Sequence, residues 1–170
     1  MNGGSFTIAP AAPADVPDLL RMIRALAEYE RLTHLCTGSA ADLARALFGD
    51  PPAAEVLVAE VDGAIEGFAL HFPTFSTFLA KRGLWLEDLY VRPAFRGKGL
   101  GGRLLRAVAA VAVERGCGRF EWSVLDWNAD AIGFYRSLGA RPQDEWTVYR
   151  VTGDALTQLA SGEEQADGSA

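Results

Sequence analysis

Two short stretches carry residue types that can do chemistry. The first is Arg96-Gly97-Lys98-Gly99-Leu100-Gly101-Gly102, four glycines with two cations among them. Glycine lets a phosphate approach the backbone closely and accepts positive φ. A helix that starts on such a run has N–H groups without intrahelical partners and the positive end of its dipole in the first turn. The run reads as an anion site, and its two added charges suit a pyrophosphate. A plain glycine loop is the alternative. The run lacks the Gly-Lys-Ser/Thr ending of a nucleoside triphosphate loop, and it is not Gly-x-Gly-x-x-Gly. The second stretch is Glu87-Asp88, two adjacent carboxylates inside the apolar run 84–91. Neighbours in a strand face opposite sides, so one carboxylate points inward or a bulge intervenes. A desolvated carboxylate with a raised pKa is a proton acceptor; an ion pair at a strand edge is the structural alternative.

The elements around these stretches follow from periodicity. Phe6 to Ala9 suits a short strand. Asp15 suits a helix N-cap and Pro17 a first turn, and Leu19, Leu20, Ile23, Leu26 and Ala27 recur at helical spacing. Ser39 caps a second helix that ends at Gly49-Asp50-Pro51-Pro52. Glu55 to Val61 and Ile65 to Phe72 read as a hairpin about Asp62-Gly63, and Pro73 to Gly83 as an irregular aromatic loop. Leu84 to Val91 is a strand. Leu100, Leu104, Leu105, Val108, Val111 and Ala112 form one helical stripe ending near Gly116. Phe120 to Leu125 reads as a strand, Asn128 to Leu138 as a helix and Glu145 to Val151 as a last strand. An antiparallel hairpin followed by β–α–β–α–β predicts an α/β fold, a mixed sheet of six or seven strands with helices on both faces.

The 170 residues suit one domain, expected over 1–160, with a polar disordered tail over 161–170. A net charge of −6 argues against nucleic acid and anionic membranes and tolerates a cationic partner. Two cysteines, Cys36 and Cys117, make no disulfide framework and are expected to be reduced in a cytoplasmic protein. No secretory signal pattern and no long apolar span are visible. No His/Cys cluster has metal-ligand spacing, so no metal is expected. His34 reads as a loop residue and His71 as a satisfied structural histidine.

The glycine run fits Arg-x-x-Gly-x-Gly at Arg96, Gly99 and Gly101, between a strand and a helix. That resembles the coenzyme A loop of the GNAT superfamily of N-acetyltransferases. "LDWNADAIGFYRSLGA", Leu125 to Ala140, resembles the same family's strand–helix segment. "LAEYERL", "FGDPP", "FSTF", "LEDLYV", "RGKGLG", "ERGC" and "LDWN" together resemble its diamine acetyltransferase branch, which includes thialysine and spermidine/spermine acetyltransferases. The likeness runs from Phe6 to Leu159.

The resemblance implies a GNAT fold, acetyl-coenzyme A as donor and a small-molecule amine as acceptor, in a homodimer. It implies that Arg96, Gly97, Lys98, Gly99, Leu100, Gly101 and Gly102 hold the pyrophosphate, and that Leu89, Tyr90 and Val91 pair with the pantetheine arm. Asn128 and Ala131 would contact that arm too, with Glu121, Trp122 and Ser123 across the cleft. Glu87 would be a general base acting through water and Tyr135 the acid beside the thioester sulfur. Their structural alternatives are an ion-paired Glu87, a core Tyr135 and an Asn128 that only caps a helix. Tyr29, Glu30, Glu87, Asp88 and Trp127 would line the amine site. The run Arg31 to Cys36 lacks the acidic residues of spermine-acting relatives, which points to thialysine or a short diamine rather than a long polycation. A protein lysine or N-terminal acetyltransferase and a non-catalytic acyl-coenzyme A sensor remain open as alternatives.

Overall fold

The computed structural model describes residues 6–162. The expected tail lies outside them from position 163 onward. The described chain falls into two units that meet in sequence between Ser123 and Val124.

The first unit is a five-stranded sheet in the order β1(Phe6–Pro10), β2(Glu55–Val61), β3(Ala64–Ser76), β4(Lys81–Val91), β5(Phe120–Trp122). The first four strands run antiparallel and β5 lies parallel to β4. Helices α1(Val16–Tyr29), α2(Ala40–Phe48) and α3(Leu100–Glu114) connect them. The amphipathic spacing of α1 buries Leu19 and Met22 against Val58, Phe68 and Tyr90, with Leu47 of α2 beside them. Phe68 is completely buried there. Burial of a side chain of that size stabilises by about 1.5–3 kcal/mol. The other face of the sheet takes α3. A Cβ on Gly67 would come 3.2 Å from Leu104 Cδ1, so the missing side chain lets the helix approach.

Local chemistry sets the helix starts. Ser39 Oγ accepts from Asp42 N at 3.2 Å and Asp42 reaches back to Ser39 N, a capping box. Asp15 precedes α1 as expected but caps the turn before it, accepting from Ala12 N at 2.7 Å.

Four expectations need correction. The stretch 73–83 is no irregular loop. β3 and β4 stay paired from Pro73↔Leu84 to Ser76↔Lys81, leaving Thr77–Ala80 as the turn. Pro73 is tolerated because β2 ends opposite His71, so β3 has a strand neighbour on one side only at that point. β5 ends at Trp122, three residues earlier than expected. Residues 145–151 carry no strand; their side chains alternate, but among the described residues they pair with no neighbour, and Tyr149 is 90% exposed. Among the described residues the sheet therefore has five strands rather than six or seven. His71 is buried, yet neither ring nitrogen has a hydrogen-bond partner among the described residues, and burial pushes its pKa down. It lies opposite Glu55, whose carboxylate grips Arg115 at the end of α3 at 2.6 and 2.7 Å.

The second unit holds α4(Ala129–Ser137) and α5(Gly153–Ser161). Neither helix contains a buried residue. α5 was not anticipated, and it takes in Ser161, the first residue of the expected tail. Among the described residues, no helix is long and apolar enough to cross a membrane.

Candidate active site

β4 brings the two carboxylates to the site through a bulge. Leu70 pairs with Asp88 and His71 with Leu86, so Glu87 has no residue opposite it. Both options raised by the sequence are realised at once. Glu87 stands exposed and accepts from the Trp85 indole Nε1 at 2.9 Å. Asp88 turns to the face of Phe68 and Tyr90, beneath the end of α1.

Asp88 is partly buried, and its pKa rises to about 6. Desolvation is the main cause, followed by the negative charges of Glu87 and Glu30. Glu30, the residue that closes α1, is also pushed up by desolvation. Among the described residues, no lysine or arginine forms an ion pair with Glu30, Glu87 or Asp88. An inward carboxylate raised by burial and by the charges of two acidic neighbours is matched to a cation from outside the chain.

The loop 96–99 leads into α3 by way of left-handed backbone. Gly97 has φ 72° and Gly99, the N-cap, φ 83°. A Cβ on either would meet nothing within 4 Å, so the space before the helix is open. The N–H groups of Leu100, Gly101 and Gly102 have no carbonyl to reach within the helix. No side chain caps them. The loop's two cations are held on aromatic rings. Lys98 Nζ lies 4.9 Å from the Phe95 ring centre. The Arg96 guanidinium lies 5.1 Å from that of Tyr29 and 5.7 Å from that of Tyr90. Leu100 buries its side chain, leaving its N–H as its polar contribution.

β4 pairs with β5 only from Leu84 to Leu86. Over Leu89 to Val91 its second edge has no strand partner among the described residues. Tyr90 is buried against Phe68, with ring centres 6.2 Å apart, so its side chain belongs to the core and to Arg96. The structure thus gathers Tyr29, Glu30, Glu87, Asp88, Tyr90 and Arg96 in the first unit. Trp127, Asn128, Ala131 and Tyr135 lie in the second. Asn128 Oδ1 accepts from Ala131 N at 3.3 Å and so caps α4, while Tyr135 packs on Phe134 with ring centres 5.4 Å apart. Trp85, which holds Glu87, escaped the sequence reading. Its position two residues away on the same strand was the available signal.

An open-ended anion loop, a strand edge without a strand partner among the described residues and a carboxylate cluster lie on this mixed sheet, and comparisons with known proteins identify the family. Residues 20–140 match the acetyltransferase (GNAT) family, across the boundary between the two units. The chain is 38% identical to a thialysine N-ε-acetyltransferase of Sus scrofa over 92% of this chain and 98% of that one. It is 36% identical to an L-ornithine N5-acetyltransferase of Arabidopsis thaliana, over 88% and 85%. Its fold matches an integron cassette protein from the mobile metagenome of V. cholerae with a TM-score of 0.77 at 29% identity, over 92% and 98%. The chain belongs to the GNAT acetyltransferase family. It is an acyltransferase enzyme, and its acetyl donor is acetyl-coenzyme A. The residues present fit that donor: open N–H groups at α3, two loop cations, and a strand edge along Leu89 to Val91 that no strand pairs among the described residues.

Proposed function

We propose that this enzyme acetylates the terminal amine of a small cationic substrate, either the side-chain amine of a lysine- or ornithine-like amino acid or a short diamine. The observation that carries the reading is the group Glu30, Glu87 and Asp88, three carboxylates without an ion-paired lysine or arginine among the described residues, with Asp88 lifted to about 6 by burial and like charge. The two relatives act by name on thialysine and L-ornithine, each an α-amino acid ending in an amine. An alkyl ammonium has a pKa near ~10.4 and must lose a proton before it can attack. Asp88 and Glu30 bind the ammonium. Glu87, exposed and fixed by Trp85, takes its proton through water. Acetyl-coenzyme A supplies the activated acetyl thioester when bound. The N–H groups of residues 97–102, with Lys98 and Arg96, hold its pyrophosphate, and the backbone of Leu89 to Val91 pairs with its pantetheine arm. Tyr135 donates to the departing sulfur, and Asn128 and Ala131 flank the arm. Tyr29 and Trp127 border the amine.

Coenzyme A release measured against thialysine, ornithine, lysine, putrescine, spermine and a lysine peptide tests the assignment. The expected order places thialysine, ornithine or the short diamine above spermine and the peptide in kcat/KM. A preference for spermine or the peptide overturns the substrate class. The reading extends to a cytoplasmic homodimer, supported by the exposed Phe75, Phe78 and Leu79 around the β3–β4 turn. Sedimentation at micromolar concentration tests it, and a monomer there refutes it.

A further inference from the structure

Arg96 opens the pyrophosphate loop, yet its contacts point away from the loop. Its Nε donates to Val91 O at 2.9 Å, which fixes the root of the side chain on the end of β4. Its guanidinium then lies within 6 Å of two ring centres, those of Tyr29 and Tyr90. That is the range in which a planar cation is attracted to an aromatic face. The two rings differ in kind. Tyr90 is buried in the core and cannot move without disturbing Phe68. Tyr29 is the last residue of α1 and 43% exposed. A buried ring, an anchored cation and a half-exposed ring make a clamp that reaches the end of α1. The next residue is Glu30, whose charge acts on Asp88. The chain after it turns sharply, with Arg31 at φ 61°.

We propose that Arg96 is a positioning residue for the amine: clamped against Tyr90, it holds Tyr29 and thereby sets Glu30 over Asp88. Its role in the cofactor loop is then half of its work. Coenzyme A bound at residues 97–102 and amine bound at Glu30 share one side chain, so each site feels the other, and by linkage the effect is reciprocal. This rests on the reading of Glu30 and Asp88 as the amine site, and the tests separate the two.

Arg96→Lys keeps the positive charge beside the pyrophosphate and loses the planar group and the Nε anchor. The amine KM is expected to rise ~5–10-fold and the acetyl-coenzyme A KM to change less than about 3-fold. Tyr29→Leu is expected to raise the amine KM similarly, and the double variant to be no worse than the poorer single one. An acetyl-coenzyme A KM that rises while the amine KM stays put overturns the proposal, as do effects of the two substitutions that multiply. Hydrogen exchange gives a readout that needs no turnover. The amides of Glu30, Arg31 and Leu32, which donate to Leu26, Glu28 and Ala27, close the end of α1. In Arg96→Lys they are expected to exchange ~5–10-fold faster, with Val58 in the core unchanged. Unchanged protection at these three amides refutes the clamp even if the variant is impaired. If the wild type turns over none of the amines, the substrate reading fails, and the exchange result still decides the clamp.

Discussion

Helices α3 and α4 each follow a loop, and they begin differently. α4 starts on Asn128, whose own side chain accepts from Ala131 N. α3 starts on Gly99, which has no side chain to offer, in backbone that leaves empty space ahead of the first turn. Both are ordinary solutions to the same deficit of partners at a helix N-terminus. The first satisfies the deficit internally and contributes to stability. The second leaves it open, and the open donors fit an anion. The carboxylates follow the same logic. Asp42 is satisfied by Ser39 and Arg45, which hold its pKa down. Asp88 is partly buried and has acidic neighbours instead, and its pKa goes up. Where the chain withholds a partner from an accessible polar group, a ligand has room to supply it.

The largest test of this contrast asks what α4 contributes if its N-terminus is already closed. The answer expected is one hydroxyl. Tyr135→Phe should lower kcat by ~100-fold or more, the range of general acid catalysis, and leave the acetyl-coenzyme A KM within about 3-fold. A kcat within a factor of about two would make Tyr135 a packing residue.

Exchanging the caps probes the contrast directly. Asparagine tolerates left-handed backbone, so Gly99→Asn should fold and bring a carboxamide to the open donors of α3. The acetyl-coenzyme A KM is expected to rise ~10-fold while Tm holds or increases. Steady-state kinetics with a thermal melt reads both, and an unchanged KM would refute the anion assignment.

The carboxylate arm of the comparison is sharpened by pH. Asp88 titrates in the fold at about 6, above the ordinary 3.8. The folded state therefore holds a proton that the unfolded chain has released between those values. The ionised group destabilises the fold; that cost is fully present above about pH 6 and is gone below about pH 4. Asp88→Asn removes it and should stabilise the protein at pH 7.5 by about 1–2 kcal/mol, read by urea denaturation. Binding runs the other way. The ammonium needs the ionised form, so the wild-type amine KM should rise as pH falls through about 6, a limb that the asparagine variant lacks. A variant that is no more stable and binds the amine normally would remove Asp88 from the site.

The smallest effect belongs to the closed terminus. Asn128→Ala should cost about 1 kcal/mol of stability, as cap removal usually does. A loss of activity far beyond that would mean Asn128 touches the cofactor as well.

Where a signal was local, the sequence was a sound guide. The stripe of α1, the Ser39 cap, the Asp62-Gly63 hairpin and the loop before α3 depend on residues within a turn or two of each other. Features that depend on a distant neighbour were less legible. Pro73 looks like a stop until it is known that β2 ends beside it. Trp146 to Val151 alternates like a strand, but a strand also needs another to pair with. The site divides along the same line. The anion loop could be read from its glycines. The sequence marked Glu87-Asp88 as important yet could not say which faces inward, because a period of two has no preferred phase. Nor could it show that the charge of Glu30 bears on Asp88.

The bulge at Glu87 has an effect that reaches past its own position. Counted by twos, Leu84, Leu86, Asp88 and Tyr90 would all look the same way. The pairings put Leu84 and Leu86 on the side of His71 and α3, and Asp88 and Tyr90 on the side of Phe68 and α1. One supernumerary residue thus works as a frameshift written in geometry rather than in codons. Upstream of it β4 is spelled for one helix layer, downstream for the other. Replacing Glu87 alters a single letter. Removing it would close the bulge, make Leu86 and Asp88 neighbours on opposite faces, and leave both layers reading as they do now, with only the Glu87 carboxylate lost.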